Sequence, residues 1–253
     1  MRRWVVLAGA GGAALLGARI LGARHQRLLH PRGRSFTGEV EVWGMPGDAA
    51  GVDLLDRPAV HPATVRVSKG APTPPGWPDV LGLAIRLHRP EGGPFDLLLS
   101  TTGPLPVVRH LPLPRRTFAA FYGSLLSYRT DAPGARGRLY LAALPDPTST
   151  PLGATLDRVA AAAVDDGARF LLAAATARGA WHPFGRLTFG APLPAPVNAA
   201  LAFDPTRNQT PGLRPVGVVQ ALRGTTYRFS QRWRGAEPTS AGPSVLETAT
   251  APR

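Results

Sequence analysis

From Phe36 onward the chain is a series of short apolar runs separated by Gly- and Pro-rich breaks. Gly38–Gly44 (GEVEVWG) and Thr64–Ser68 (TVRVS) alternate polar and apolar residues, the period-two signature of a half-buried strand. Val80–His88 (VLGLAIRLH) and Phe95–Thr102 (FDLLLSTT) are longer apolar runs joined by the turn RPEGGP, which predicts two neighbouring strands. Arg138–Leu144, Phe170–Ala177, Gly185–Gly190 and Val197–Phe203 are four more strand candidates. Residues 115–128 (RRTFAAFYGSLLSY) predict a helix, and Leu156–Gly167 a short helix ended by its glycine. Pro215–Arg234 predicts a basic helix that closes the fold. About eight strands with helical insertions and a closing C-terminal helix amount to an α+β, mainly β chain, a closed or nearly closed β-barrel.

The first 23 residues have a different pattern. Trp4–Leu21 (WVVLAGAGGAALLGARIL) follows Arg2 and Arg3 and spans 18 residues, near the lower limit for crossing a bilayer. It is rich in Gly and Ala, and Arg19 interrupts it. The best cleavage site ends at Ala23 but has Leu21 where a small residue is wanted, and Arg24, His25 and Arg27 follow at once. Three interpretations stay open: an uncleaved anchor or membrane-surface helix, a cleaved signal, and an ordinary N-terminal helix. The expected location is accordingly at a membrane through this segment or outside the cell, with the cytoplasm open under the third. The predicted division is an N-terminal apolar segment over 1–23, a barrel over 24–235 and a small, polar, disordered tail over 236–253.

Composition narrows the function. There is no cysteine, which removes disulfides, thiolate metal sites and cysteine nucleophiles. The net charge is +13, and Lys69 is the only lysine among 29 basic residues. Such a chain favours anionic partners. The arginines are scattered singly or in pairs without the interleaved aromatics of a nucleic-acid site, so nucleic acid is not an expected partner. No G-x-S-x-G, Walker A or H-E-x-x-H motif is present.

The closing segment carries the most informative chemistry. Arg223 and Tyr227 are four apart, one turn from each other on one helix face. A guanidinium there favours the phenolate, the form of Tyr that can ligate ferric iron. The commoner arrangement of such a pair is an exposed Arg stacked on a half-buried Tyr.

The surrounding segments resemble the haem catalases. Phe203-Asp204-Pro205, Pro211-Gly212-Leu213 and Arg223-x-x-x-Tyr227-x-x-x-Gln231-Arg232-Trp233-Arg234 are similar to the family's F-N-P, P-G-I and R-x-x-x-Y-x-x-x-Q/H-R-x-R series. Arg27-Leu28-Leu29-His30-Pro31-Arg32-Gly33, then Gly38 and Glu41-Val42, resemble R-x-x-H-A-K-G and G-x-x-E-V. Val65-Arg66-Val67-Ser68 resembles V-R-F-S, and Asp79–Arg86 resembles D-V-R-G-F-A-V-K. Asp96-Leu97-Leu98 resembles the start of W-D-L-V-G-N-N-T-P. The resemblance covers about residues 27–235 in order, with gaps, and is closest to minimal, catalase-related peroxidases.

The resemblance implies a catalase-like antiparallel β-barrel holding haem b. Tyr227 would be the proximal iron ligand and Arg223 its partner. Arg27, Arg66 and Arg234 would neutralise the haem propionates inside the barrel. His30 would be the distal acid–base group, oriented by Ser68. Where the family has paired asparagines this chain has Ser100-Thr101-Thr102, so Thr101, or Ser100 beside it, is the candidate hydrogen-bond donor to peroxide. The implied function is a haem-dependent peroxidase or hydroperoxide-transforming enzyme, weak as a true catalase. Its partners would be peroxide or an organic hydroperoxide and an unidentified electron donor, with a membrane surface and a homo-oligomer both open. The alternatives are a non-enzymatic haem-binding or haem-sensing protein and a haem-free membrane-surface barrel. Of the other histidines, His25 is expected in solvent, His61 and His182 in loops before proline, His88 at a strand end, and His110 at the surface or near the distal side.

Overall fold

The computed structural model describes residues 32–45, 50–71, 73–130 and 138–216, with the side chain of Asp166 left aside. The N-terminal segment, Arg27, His30, the predicted closing helix with Arg223, Tyr227 and Arg234, and the polar tail lie outside the described residues.

Ten strands form one sheet: β1 (Arg32–Val42), β2 (Ala59–Lys69), β3 (Leu81–Leu87), β4 (Phe95–Thr101), β5 (Tyr122–Gly123), β6 (Ser127–Thr130), β7 (Arg138–Pro145), β8 (Arg169–Thr176), β9 (His182–Pro192) and β10 (Leu213–Val216). All named pairings are antiparallel. Eight strands close a ring in the order β1-β2-β3-β4-β5-β7-β8-β9, and β9 returns to β1. β5 and β6 pair with successive parts of β7, and Ser124 between them bonds Leu141, so they are two halves of one interrupted strand. β10 lies beside β6. The expected eight-stranded, mainly β barrel is what the chain forms.

One face of each strand fills the barrel. Phe36, Val65, Ile85 and Leu97 stand opposite one another across four strands, and Val67, Leu83 and Leu99 across three, all at 4% exposure or less. Phe36 meets Phe189 edge-on at 5.5 Å, and Tyr122 meets Phe170 at 5.7 Å. The Tyr122 hydroxyl donates to the Phe118 carbonyl at 3.0 Å, and burial raises its pKa. A void lined by Val40, Ile85, Leu97, Leu141, Leu172 and Phe184, among others, measures about 20 Å³. That is room for one water at most, and the lining is wholly apolar, so the barrel centre is packed core.

Among the described residues three helices punctuate the strands: α1 (Asp53–Asp56), α2 (Leu156–Asp166) and α3 (Ala195–Ala200). α2 is the helix expected there. Thr155 accepts from the Arg158 amide at 3.2 Å at its start, and Gly167 ends it in the left-handed region at φ 57°.

Three expectations are corrected. Residues 115–128 are not a helix: they hold a bridge at Arg115, then β5 and the start of β6. Phe118, Ala120 and Tyr122 are buried while Thr117, Ala119 and Phe121 are less so, a period of two that outweighs the helix-favouring alanines. Residues 197–203 are not a strand. Pro194 and Pro196 fix the first turn of α3, where a proline costs no hydrogen bond, and the segment leaves the helix at Leu201. Over 215–216 the chain is strand β10 where the closing helix was expected to begin.

Candidate functional site

Part of the outer face of β1–β4 is buried as well, and it is largely polar. Strand pairing arranges it in successive rows. The first joins Thr64, Arg86 and Asp96. The second joins Ser35, Arg66, Ala84 and Leu98. The third runs through Gly33, Ser68, Gly82, Ser100, Gly123, Ala142 and Ala173 across seven strands. No residue in the third row is larger than serine, so the row is a flat strip. Ser68 is 5% exposed, Ser100 8% and Ala142 1%.

The first row is a structural clasp. Arg86 donates to Asp96 through two nitrogens at 2.7 and 2.6 Å, with both side chains buried. Asp96 also accepts from the Asp204 amide at 2.6 Å and from Asn208 Nδ2 at 2.9 Å, and Arg86 donates to the Ala202 carbonyl at 2.6 Å. Phe203 stacks over the Arg86 guanidinium at 5.2 Å. Asp204 itself caps the following turn by accepting from the Thr206 and Arg207 amides. The Phe203-Asp204-Pro205 motif therefore straps the 202–208 segment onto the barrel. Leu193, Leu201 and Phe203 form a small apolar cluster over Ala84 and Leu98 of the second row.

Arg66 lies at the border of the second and third rows. It is on the outer face, not inside the barrel, because residues 63, 65 and 67 of β2 fill the core. Its Nη1 donates to Asn198 Oδ1 at 2.7 Å, and Ser35 Oγ donates to the same oxygen at 2.7 Å. Asn198 Nδ2 donates back to the Gly33 carbonyl at 3.3 Å. A Cβ at Gly33 would stand 2.6 Å from the guanidinium carbon of Arg66, so this glycine makes room for the arginine. Asn198, on α3, thus orients a buried guanidinium beside the flat strip.

Ser68 is brought to the same strip, and its hydroxyl reaches the Gly82 carbonyl at 3.5 Å. Thr101 is not. It pairs with Tyr122 on the inner face, accepts from the Leu81 amide at 3.0 Å and donates to the Leu113 carbonyl at 2.7 Å. Its one hydroxyl proton is thereby taken. Thr102, fully buried, has a hydroxyl oxygen with no hydrogen-bond partner. That oxygen would lie 2.6 Å from a Cβ at Gly123, so it borders the strip.

Of the residues singled out in the sequence, Arg66 and Ser68 lie beside the strip and Thr101 does not, while Asn198 and Thr102 were not singled out. The signal for Thr102 was present: with Leu97 and Leu99 turned inward, residues 100 and 102 must turn outward. Of the histidines, His88 meets Thr64 Oγ1 at 2.8 Å, and burial followed by the Arg86 charge lowers its pKa. His110 stacks edge-on against Tyr140 at 4.6 Å, and burial followed by Arg109 lowers its pKa too. Among the described residues no group of His, Asp and Glu forms a metal cluster, and no helix is long and apolar enough to cross a membrane.

No protein-family model matches the chain, and no curated protein matches it. Among solved structures it is similar to a fungal catalase, at a TM-score of 0.66 and 14% identity. The match covers 90% of this chain and 63% of that one, so the chain spans less than two thirds of the catalase's length. At this identity the likeness speaks for architecture alone: the chain carries a catalase-like β-barrel fold.

Proposed function

We propose that the chain is a haem-dependent, peroxide-handling protein whose cofactor is held against the outer face of the barrel. The observation that carries this is the flat buried strip Gly33-Ser68-Gly82-Ser100-Gly123 beside the buried Arg66 guanidinium, on a catalase-like fold. The residues present fit such a group in three respects. The strip offers a flat floor, Arg66 a buried cation for a carboxylate, and Thr102 a buried hydroxyl without a partner. The void at the apolar barrel centre, about 20 Å³, is far too small for such a group.

Haem, when bound, supplies the iron chemistry that cleaves a peroxide O–O bond. The chain's own residues would do the rest. Tyr227 would ligate the iron as phenolate, with Arg223, four residues before it, favouring that form. Arg27, Arg66 and Arg234 would hold the propionates, with Asn198 fixing Arg66. His30 would take the peroxide proton and return it to the departing oxygen, with Ser68 orienting it.

The test is titration of the full chain with hemin. A Soret band saturating at one haem per chain is expected, with Tyr227→Phe losing or shifting it. A wild-type protein with no Soret band would sink the proposal.

A second function, haem binding without turnover, is favoured by one observation. Thr101, the residue in place of an asparagine amide, has its hydroxyl tied to Leu81 and Leu113. Loaded protein that neither oxidises an aromatic donor nor evolves oxygen from peroxide would select it.

A further inference from the structure

The connection between β4 and β5 shows solvent an apolar surface. Leu105 is 67% exposed, Val107 83% and Leu111 52%. Yet the turn is firmly built. The Val108 and Arg109 amides donate to the Leu105 carbonyl at 3.1 and 3.0 Å, and the Leu111 amide donates to Val108 at 3.2 Å. Its inward side is anchored by Arg109, 2% exposed, which donates to the carbonyls of Thr176 (2.5 Å) and Gly179 (3.1 Å). The same guanidinium lies 4.8 Å over the Trp181 ring, whose Nε1 donates to Pro104 at 2.7 Å. A rigid frame therefore holds Leu105, Val107 and Leu111 out in water.

A second exposed apolar group stands at the same end of the barrel. The β2–β3 connection runs alongside, with Asp79 and Arg115 exchanging both backbone bonds at 3.0 and 2.8 Å, and Arg116 donating to the Gly76 carbonyl at 3.2 Å. Trp77 follows, 63% exposed. Isolated surface hydrophobics need no explanation, but a cluster carrying a tryptophan marks an interaction surface.

Charge identifies the partner. From Leu97 to Thr130 there is no Asp or Glu, while the half-buried Arg115 and the exposed Arg116 stand where the two loops meet. The one carboxylate in the neighbouring loop, Asp79, is buried and accepts from the Ala71 amide and the Thr73 hydroxyl. An apolar tip with an indole in the neighbouring loop and the Arg115–Arg116 pair beside it matches the acyl boundary, headgroup level and phosphates of an anionic bilayer.

We propose that the 105–111 turn, with Trp77, is a wedge that inserts into anionic lipid and seats this end of the barrel on the membrane. It acts independently of the N-terminal apolar segment and of haem binding.

The chain has no cysteine, so a Val107→Cys variant of the full chain takes one environment-sensitive fluorophore at the tip. Val164→Cys on α2, 66% exposed, is the comparison site. On phosphatidylcholine vesicles with about a third phosphatidylglycerol, the label at 107 should shift to the blue and resist iodide quenching, while that at 164 stays aqueous. Arg116→Gln should weaken vesicle affinity about fivefold, the effect of one charge near such a surface. Three outcomes would overturn the proposal. The label at 107 could stay aqueous, whether or not the protein sediments with the vesicles. It could shift equally on pure phosphatidylcholine. Or it could shift without vesicles as protein concentration rises, which would mean that a second copy covers the tip.

Discussion

The two faces of strands β2, β3 and β4 are both buried, yet they are built from opposite chemistry. Inward stand Val65, Val67, Leu83, Ile85, Leu97 and Leu99. Outward stand Arg66, Ser68, Arg86, Asp96 and Ser100. The inner face needs only volume and hydrophobicity, since it packs against itself around a void of about 20 Å³. The outer face needs specific partners for each polar group, because an unpaired buried charge costs far more than an unfilled methyl. Asp96 accepts four hydrogen bonds from three residues, and Arg66 is oriented by Asn198. The Arg86–Asp96 pair holds the 202–208 segment, and Arg66 stands oriented beside the flat strip.

The largest contrast is between neighbours on β4. Asp96→Ala should cost about 3–5 kcal/mol in urea unfolding, because it leaves Arg86 buried without its anion. Replacing both Arg86 and Asp96 with Leu should recover much of that loss, which would show a pair and not a single essential group. Leu97→Ala should cost about 2–5 kcal/mol through a cavity, and no second substitution on the partner strand should recover it as fully. If the double variant is no more stable than Asp96→Ala, the clasp is misassigned.

A smaller effect separates the adjacent threonines. Thr101→Val orphans the Leu81 amide and should cost about 1–3 kcal/mol. Thr102→Val removes a hydroxyl that has no partner and should leave thermal stability within error or raise it. Equal losses in the two variants would erase the distinction between inward and outward hydroxyls.

The smallest effect is in pH. Burial, then the Arg86 charge, depress the pKa of His88 in the folded state. Its neutral form is therefore the folded one, so its contribution to stability is whole above the ordinary histidine range. That contribution is lost as pH falls below about 6.5 and through the depressed value. Unfolding free energy measured between pH 8 and 5 should drop less steeply in His88→Gln than in the wild type. A steeper drop in the variant would reverse the sign.

Much of the inner face was legible in the sequence, because alternation along TVRVS and the apolar runs VLGLAIRLH and FDLLLSTT give strand and facing together. The 115–128 segment was not, because its alanines suit a helix while the burial of Phe118, Ala120 and Tyr122 follows a period of two. Arg66 and Ser68 were singled out by their resemblance to a known series, and strand pairing places both on the outer face. Asn198 could not, because its role exists only once the chain returns 163 residues later to meet Ser35. His30 and Tyr227, the residues on which the chemistry would turn, lie outside the described part of the chain.

The most direct test of the outer face as the cofactor site is hemin titration of two large-residue variants of the full chain. Ser100→Phe obstructs the strip, whereas Leu99→Phe alters the packed interior one residue away. Followed at the Soret band on folded protein, Ser100→Phe should lose binding at least tenfold while Leu99→Phe binds as the wild type does. Hemin affinity unchanged in Ser100→Phe would contradict the assignment of haem to this face.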